Sequence, residues 1–322
     1  MINSAYERLR PYLNLPSPME YCSWLSDRTK ARVYLKLETF RETRTFKVRG
    51  ALNFVLQLSY RERQQGVVTA SGGNHALAVS YAAHLVGSPC IVIMTTKAPA
   101  NVADMCRAYN AVVVIQGDFY EESEEIARHI AEDRNLNFIP AFDHEAIIAG
   151  QGTIASELVK QKPELTDVIV PVGGGGLIAG ISAFYKSKQL STRVIGVEPN
   201  GGSALFQSLK RGERMKIPYP ASRWAEKLIP QSIGRLPFEV AKECVDEVLL
   251  ADDEAIESAV CDFLGYSSLL VEGSAAITAA ALMSNQSQFV GRQVVLVITG
   301  ANVNLPLLRE ALKKVSGCSS ST

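Results

Sequence analysis

Asp167-Val168-Ile169-Val170-Pro171-Val172-Gly173-Gly174-Gly175-Gly176-Leu177-Ile178-Ala179-Gly180 is the stretch that decides the fold of this chain. Its apolar opening shows no polar alternation, as expected of a strand buried on both faces of a parallel sheet. The apolar run after the glycines begins a helix, so the unit is strand, tight loop, helix. Four glycines in a row are costly to order and need a reason. Residues without Cβ let successive N–H groups converge on an anion, and the helix N-terminus adds partial positive charge. Such a cradle is sized for one phosphate monoester. A second possibility is a dinucleotide: Gly174, Gly176 and Gly180 fit G-x-G-x-x-x-G, and Glu198 lies about 20 residues on, where a ribose contact would be needed.

The same alternation extends outward in both directions. Short β-branched runs at 67–69, 90–94, 111–115, 167–172, 193–197 and 293–298 are predicted strands. Helical patterns fall at 74–86, 101–109, 120–134, 147–160, 177–188, 252–264, 275–283 and 305–314. Asp118 and Glu121 have the spacing of a capping box for the helix from Tyr120. The fold class is therefore α/β, with two parallel or mostly parallel open sheets flanked by helices. Residues 61–145 carry their own strands and helices and form a smaller, mobile domain inserted into a larger one made of 1–60 and 146–322. The proline-rich stretch 212–237 breaks the alternation and is expected to lie as a long loop over the functional face. The serine-rich end after Gly317 is expected to fray.

Bulk properties exclude several classes. The 322 residues carry 33 basic and 33 acidic side chains, a formal net charge of zero, so nothing points to nucleic acid. No apolar run approaches the roughly 18 residues of a membrane span, and the N-terminus has no secretory h-region. The six cysteines are scattered without a C-x-x-C pair, as expected of reduced thiols in a cytoplasmic protein.

Three further segments carry chemistry. Thr43-Arg44-Thr45-Phe46-Lys47-Val48-Arg49-Gly50-Ala51 offers an amine, and a lysine forms an imine only when neutral, which requires burial or cationic neighbours. If the segment is extended, Arg49 shares the face of Lys47. Ser71-Gly72-Gly73-Asn74-His75 joins a strand end to a helix start and makes a second small anion site, sized for a carboxylate. His75 there is expected to be a hydrogen-bonding residue without a catalytic part. Thr299 ends the last strand and presents a hydroxyl at the carboxyl edge of the sheet, where α/β proteins bind ligands.

Taken in order, these segments resemble the fold-type II enzymes of pyridoxal 5'-phosphate (PLP), in the threonine dehydratase and serine racemase branch. The blocks are Phe46-Lys47-Val48-Arg49-Gly50-Ala51, Ser71-Gly72-Gly73-Asn74-His75-Ala76, Phe142-Asp143-His144 and Ile148-Ala149-Gly150-Gln151-Gly152-Thr153. They continue through Pro171 to Leu177, Gly196-Val197-Glu198-Pro199 and Thr299-Gly300-Ala301-Asn302-Val303-Asn304. The resemblance implies a tryptophan synthase β-like fold, PLP as cofactor and a homodimer. It implies that Lys47 holds PLP as an internal aldimine and, once freed, takes the Cα proton of a bound amino acid. Phe46 would back the ring, Asn74 would face its 3'-oxygen, and Gly173, Gly174, Gly175, Gly176 and Leu177 would bind the phosphate. Thr299 would meet the pyridine nitrogen, where a hydroxyl favours β-elimination over long-lived carbanions. Ser71, Gly72, Gly73, Asn74 and His75 would hold the substrate.

The activity so implied is dehydration and deamination of L-threonine or L-serine to a 2-oxo acid and ammonia. Alternatives stay open: another 3-hydroxy amino acid (3-hydroxyaspartate, 3-phenylserine or one derived from hydroxyectoine), serine racemisation, β-replacement, or PLP binding without catalysis. The chain departs from the family at four places. Gly72 stands where racemases have a serine that serves the second face. Residues 200–204 supply no aspartate beside Glu198, so no metal is expected. Arg44 replaces a glycine and would suit a second carboxylate, and Gly273 replaces the proline usual after Glu272. No length is left for an effector-binding domain, which implies a stand-alone form.

Overall fold

The computed structural model describes residues 1–218 and 220–317, and the serine-rich end lies outside them. The strands are β1 (Met19–Tyr21), β2 (Arg32–Leu37), β3 (Val67–Ala70), β4 (Cys90–Met94), β5 (Val112–Ile115), β6 (Asn137–Phe138), β7 (Asp167–Pro171), β8 (Arg193–Pro199), β9 (Glu247–Ala251) and β10 (Gln293–Ile298). They build a six-stranded sheet in the order β1-β2-β10-β7-β8-β9 and a four-stranded one in the order β5-β4-β3-β6. Every pairing is parallel except β1 with β2. The fold is thus α/β with two mostly parallel sheets.

Successive side chains of a strand point to opposite faces, and here both faces are apolar. Ile169, Leu296 and Ile298 pack with the alanines of the Gly273–Ser284 helix on one side of the large sheet. Val168, Val170, Val295 and Val297 pack with Ile154, Leu177 and Ile178 on the other. On the small sheet, Val67, Val92 and Met94 meet the Asn74–Leu85 helix, while Val68, Ala70 and Ile93 meet Ala127 and Ala131. Val48, Ala51, Leu52 and Val55 of the Lys47–Val55 helix join the first of these small-sheet clusters.

Close helix contacts account for glycines in two of the sequence blocks. A Cβ on Gly150 would lie 2.6 Å from the Arg49 carbonyl oxygen and 2.7 Å from Gly50 Cα. The Lys47–Val55 and Glu145–Gln161 helices therefore meet backbone to backbone.

A fully buried ion cluster fastens the same pair. Arg49 donates to both oxygens of Glu38 (2.8 Å each) and to both of Glu157 (2.7 and 3.0 Å). Lys36 reaches Glu157 at 2.6 Å and Arg41 reaches Glu38 at 3.2 Å. The Arg49 side chain is thus spent on structure, and the segment is helical from Lys47 onward rather than extended. Residues two apart on a helix do not share a face, so the expected pairing of Arg49 with Lys47 is corrected.

The expected Asp118–Glu121 box is also corrected. Asp118 accepts from the Thr96 hydroxyl, and its own N–H is met by Glu122. Ser59 and Glu62 form a capping box.

Removing Arg49 would leave two buried carboxylates short of cations. Arg49→Met is expected to lower stability by about 3–5 kcal/mol. Chemical denaturation checks this, and a loss under about 1 kcal/mol would show that the cluster does not hold the helices.

Candidate active site

Lys47 opens its helix directly after the strand-end contacts. Phe46 N–H donates to the Thr299 carbonyl at 3.0 Å, and Thr45 bridges Gly300. The base of the side chain is thus tied to the carboxyl end of β10. Its Nζ donates to the Ala141 carbonyl at 2.9 Å and lies 5.5 Å from the Phe46 ring centroid. Among the described residues no carboxylate pairs with this amine. Burial alone pulls its pKa down to about 8, so the neutral amine needed for imine formation and proton abstraction is within reach near neutral pH.

The glycine run lies one residue away from that carbonyl. A Cβ on Gly174 would overlap the Phe142 ring, and one on Gly176 would stand 3.0 Å from the Phe142 oxygen. Gly175 has φ +89°, a conformation that side chains resist. Gly173 is approached by Lys227 and Leu228 of the 212–237 stretch, with the Lys227 oxygen 3.2 Å from its Cβ position, while the end of that stretch is helical from Arg235 rather than loop. The Gly176–Ser187 helix begins here, leaving the N–H groups of Gly176, Leu177 and Ile178 without intrahelical acceptors.

The Ser71 loop comes from the carboxyl end of β3. Ser71 Oγ accepts from Gly73 N–H at 3.2 Å, and the Gly72 Cβ position is 3.0 Å from the Ala98 methyl. Asn74 starts the next helix. Its Nδ2 donates to Glu272 at 2.7 Å and its Oδ1 accepts from Asn302 at 2.7 Å. His75 is buried with Nε2 3.2 Å from the Ile139 carbonyl. A carbonyl only accepts, so Nε2 carries the proton. Burial, then the nearby Lys47 charge, drops the His75 pKa to about 3, so the ring is neutral.

The structure therefore brings Phe46, Lys47, Asn74, the glycine run and Thr299 to one crevice at the carboxyl ends of β3, β7 and β10. Glu198 is elsewhere engaged, accepting from Leu205 and Phe206 N–H groups at 2.8 and 2.7 Å as the cap of the Ala204–Arg211 helix. It is not free to hold a ribose, which removes the support for a dinucleotide. Among the described residues no cluster of three His, Cys, Asp or Glu is placed to hold a metal ion. Sequence reasoning missed Phe142, Glu272 and Asn302 as parts of this crevice, although all three lie in or beside its motif blocks. Lys227 gave no signal at all.

A glycine run with free N–H groups at a helix start, a part-buried amine with lowered pKa and a side-chain amide, gathered at the carboxyl ends of the strands, suit the donor set that PLP requires. The family model described as pyridoxal-phosphate dependent enzyme matches residues 12–300. The chain belongs to that family. It is 36% identical to an L-threonine ammonia-lyase of Thermotoga maritima over 296 residues, covering 92% of this chain and 73% of that one. It is 32% identical to an L-threo-3-hydroxyaspartate ammonia-lyase of Saccharomyces cerevisiae, covering 94% and 92%. A structure of maize serine racemase superposes with a TM-score of 0.91 at 30% identity, covering 99% of this chain and 97% of the other.

A lysine with a depressed pKa leaves a mark on the pH dependence of the cofactor-free protein's stability. The folded pKa is about 8 against 10.5 unfolded, so between these values the unfolded chain binds more protons. Stability tied to Lys47 is present above pH 10.5 and is lost as pH falls through 8. Lys47→Met is expected to flatten the rise in apo-protein Tm between about pH 7.5 and 10. Parallel pH profiles of the two proteins would contradict the assignment.

Proposed function

We propose that this chain is an ammonia-lyase that dehydrates a β-hydroxy amino acid, L-threonine or L-serine first, to a 2-oxo acid and ammonia. The observation that carries the proposal is the low-pKa lysine held on the Ala141 carbonyl, next to the Phe142 ring that packs on the glycine run. The names of the Thermotoga and Saccharomyces relatives support it. PLP supplies electron withdrawal from the substrate Cα when bound.

The chain's own residues divide the remaining work. Lys47 forms the cofactor link and, when released, its neutral amine accepts the Cα proton. N–H groups of Gly173, Gly174, Gly175, Gly176 and Leu177 would hold the phosphate. Phe46 would back the ring, Asn74 would donate to the ring oxygen, and Thr299 would offer its hydroxyl to the ring nitrogen. The loop Ser71, Gly72, Gly73, Asn74 and His75 takes the substrate carboxylate. Gly72 has no hydroxyl to serve the opposite face of Cα, which disfavours racemisation. We assign residues 61–145 as a mobile unit closing on 1–60 and 146–322, and a cytoplasmic homodimer as the working form. No helix among the described residues is long and apolar enough to cross a membrane.

One position favours a second substrate. Arg44 is exposed, its backbone has φ +56°, and its carbonyl accepts from Ala301 N–H at 3.0 Å. It stands on the strap that ends at Lys47, where a guanidinium would suit the second carboxylate of 3-hydroxyaspartate.

Ammonia and 2-oxo acid release from L-threonine, L-serine, 3-hydroxyaspartate and 3-phenylserine tests the proposal. At least one is expected to turn over, and Lys47→Ala is expected to lose about a thousandfold or more. Ammonia release that survives Lys47→Ala would refute the assigned roles, and no release from any of the four would refute the substrate class.

A further inference from the structure

Lys227 lies in the 212–237 loop, outside every block that defines the family resemblance. Its Nζ donates to Glu272 at 2.7 Å and to the Asn302 carbonyl at 2.6 Å. Glu272 accepts from Asn74 through its other oxygen, and Asn302 donates its amide to Asn74 Oδ1. Lys227, Glu272, Asn74 and Asn302 therefore form a closed ring of hydrogen bonds drawn from four separate segments.

The ring removes a choice that an asparagine ordinarily has. Its side-chain oxygen and nitrogen are nearly equal in shape, and only partners decide which way the amide faces. Lys227 Nζ occupies Glu272 Oε2, so Oε1 is the oxygen that accepts from Asn74. The Asn74 nitrogen must then face Glu272 and its oxygen must face Asn302. One Nδ2 hydrogen is used by Glu272, leaving one to offer.

Loop packing shows how Lys227 gets there. A Cβ on Gly273 would overlap the Trp224 carbonyl, so the glycine that replaces the family's proline lets Trp224 to Lys227 lie against the Gly273–Ser284 helix. Lys227 N–H is also held by Ser274 Oγ at 3.3 Å. The Lys227 side chain is a quarter exposed and Glu272 is buried, so the ion pair closes the ring from the cleft side.

We propose that Lys227 is a positioning residue that locks the Asn74 amide with its remaining N–H toward the cofactor's ring oxygen. This rests on the PLP site described above. Without the ammonium the ring opens: Asn302 Nδ2, held by the Thr43 carbonyl at 3.0 Å, still meets Asn74 Oδ1, but the Glu272 oxygen that aims Asn74 Nδ2 is no longer held in place. The consequence falls on cofactor binding before any chemistry.

Titration of apoenzyme with PLP, followed by visible absorbance, tests it through a double-mutant cycle. Lys227→Met is expected to weaken PLP binding roughly tenfold, and Lys227→Arg to recover most of that loss. In an Asn74→Ala background, Lys227→Met is expected to have no further effect. An equal loss in both backgrounds, or none in either, would overturn the proposal. Should Lys227→Met fail to fold by circular dichroism, Glu272→Gln takes its place in the same cycle. A loss confined to the background that keeps Asn74 would again support the proposal, and an equal loss in both, or none, would again overturn it. An unsubstituted protein that binds no PLP would instead overturn the site itself, and the inference with it.

Discussion

The contact on which the rest of the molecule depends is made by two adjacent residues, Ala141 and Phe142. The carbonyl of the first holds the Lys47 amine at 2.9 Å, and the ring of the second fills the space that a side chain on Gly174 would need. An amine from the Lys47–Val55 helix and the glycine run from the middle of the chain are brought together by this short linker. Its own position is heavily determined. Ile139 N–H donates to Val68, and the Ile139 carbonyl accepts from Thr69 Oγ1 at 2.8 Å and from His75. Asp143 then accepts from Arg235 and Leu236 N–H groups at 2.7 and 2.9 Å, at the start of the Arg235–Cys244 helix. His75 thus acts on Lys47 at one remove, by fixing the strand end from which Ala141 follows.

Burial does two different things to the cations of this region. Arg49 sits among Glu38 and Glu157 and keeps its charge, which makes it a fastening between helices. Lys47, two residues earlier, has no carboxylate beside it among the described residues, so desolvation lowers its pKa. One helical turn therefore carries a structural cation pointing inward and an amine of lowered pKa facing the Ala141 carbonyl. The helix geometry is what separates them.

Much of this was legible in the chain. The apolar strands β4 and β10 and the helix Tyr120–Arg134 match the sequence pattern to the residue, because both faces of a parallel strand are dry and the helix is long. β2 was missed although Val33, Leu35 and Leu37 are buried, since Lys36 interrupts the apolar run and its burial depends on Glu157, more than a hundred residues away. The box at Asp118 failed because Thr96 and Glu122 took the groups that it needed. Lys47 and the glycines could be read from local motifs. Lys227 could not, because its role exists only where four distant segments meet.

Borohydride reduction of the PLP-loaded protein, followed by peptide mass mapping, addresses the central claim most directly, since two lysines reach the same crevice. The expected result is one phosphopyridoxyl group, on the peptide containing Lys47. A label on Lys227 instead, or spread over surface lysines with none at Lys47, would contradict the account.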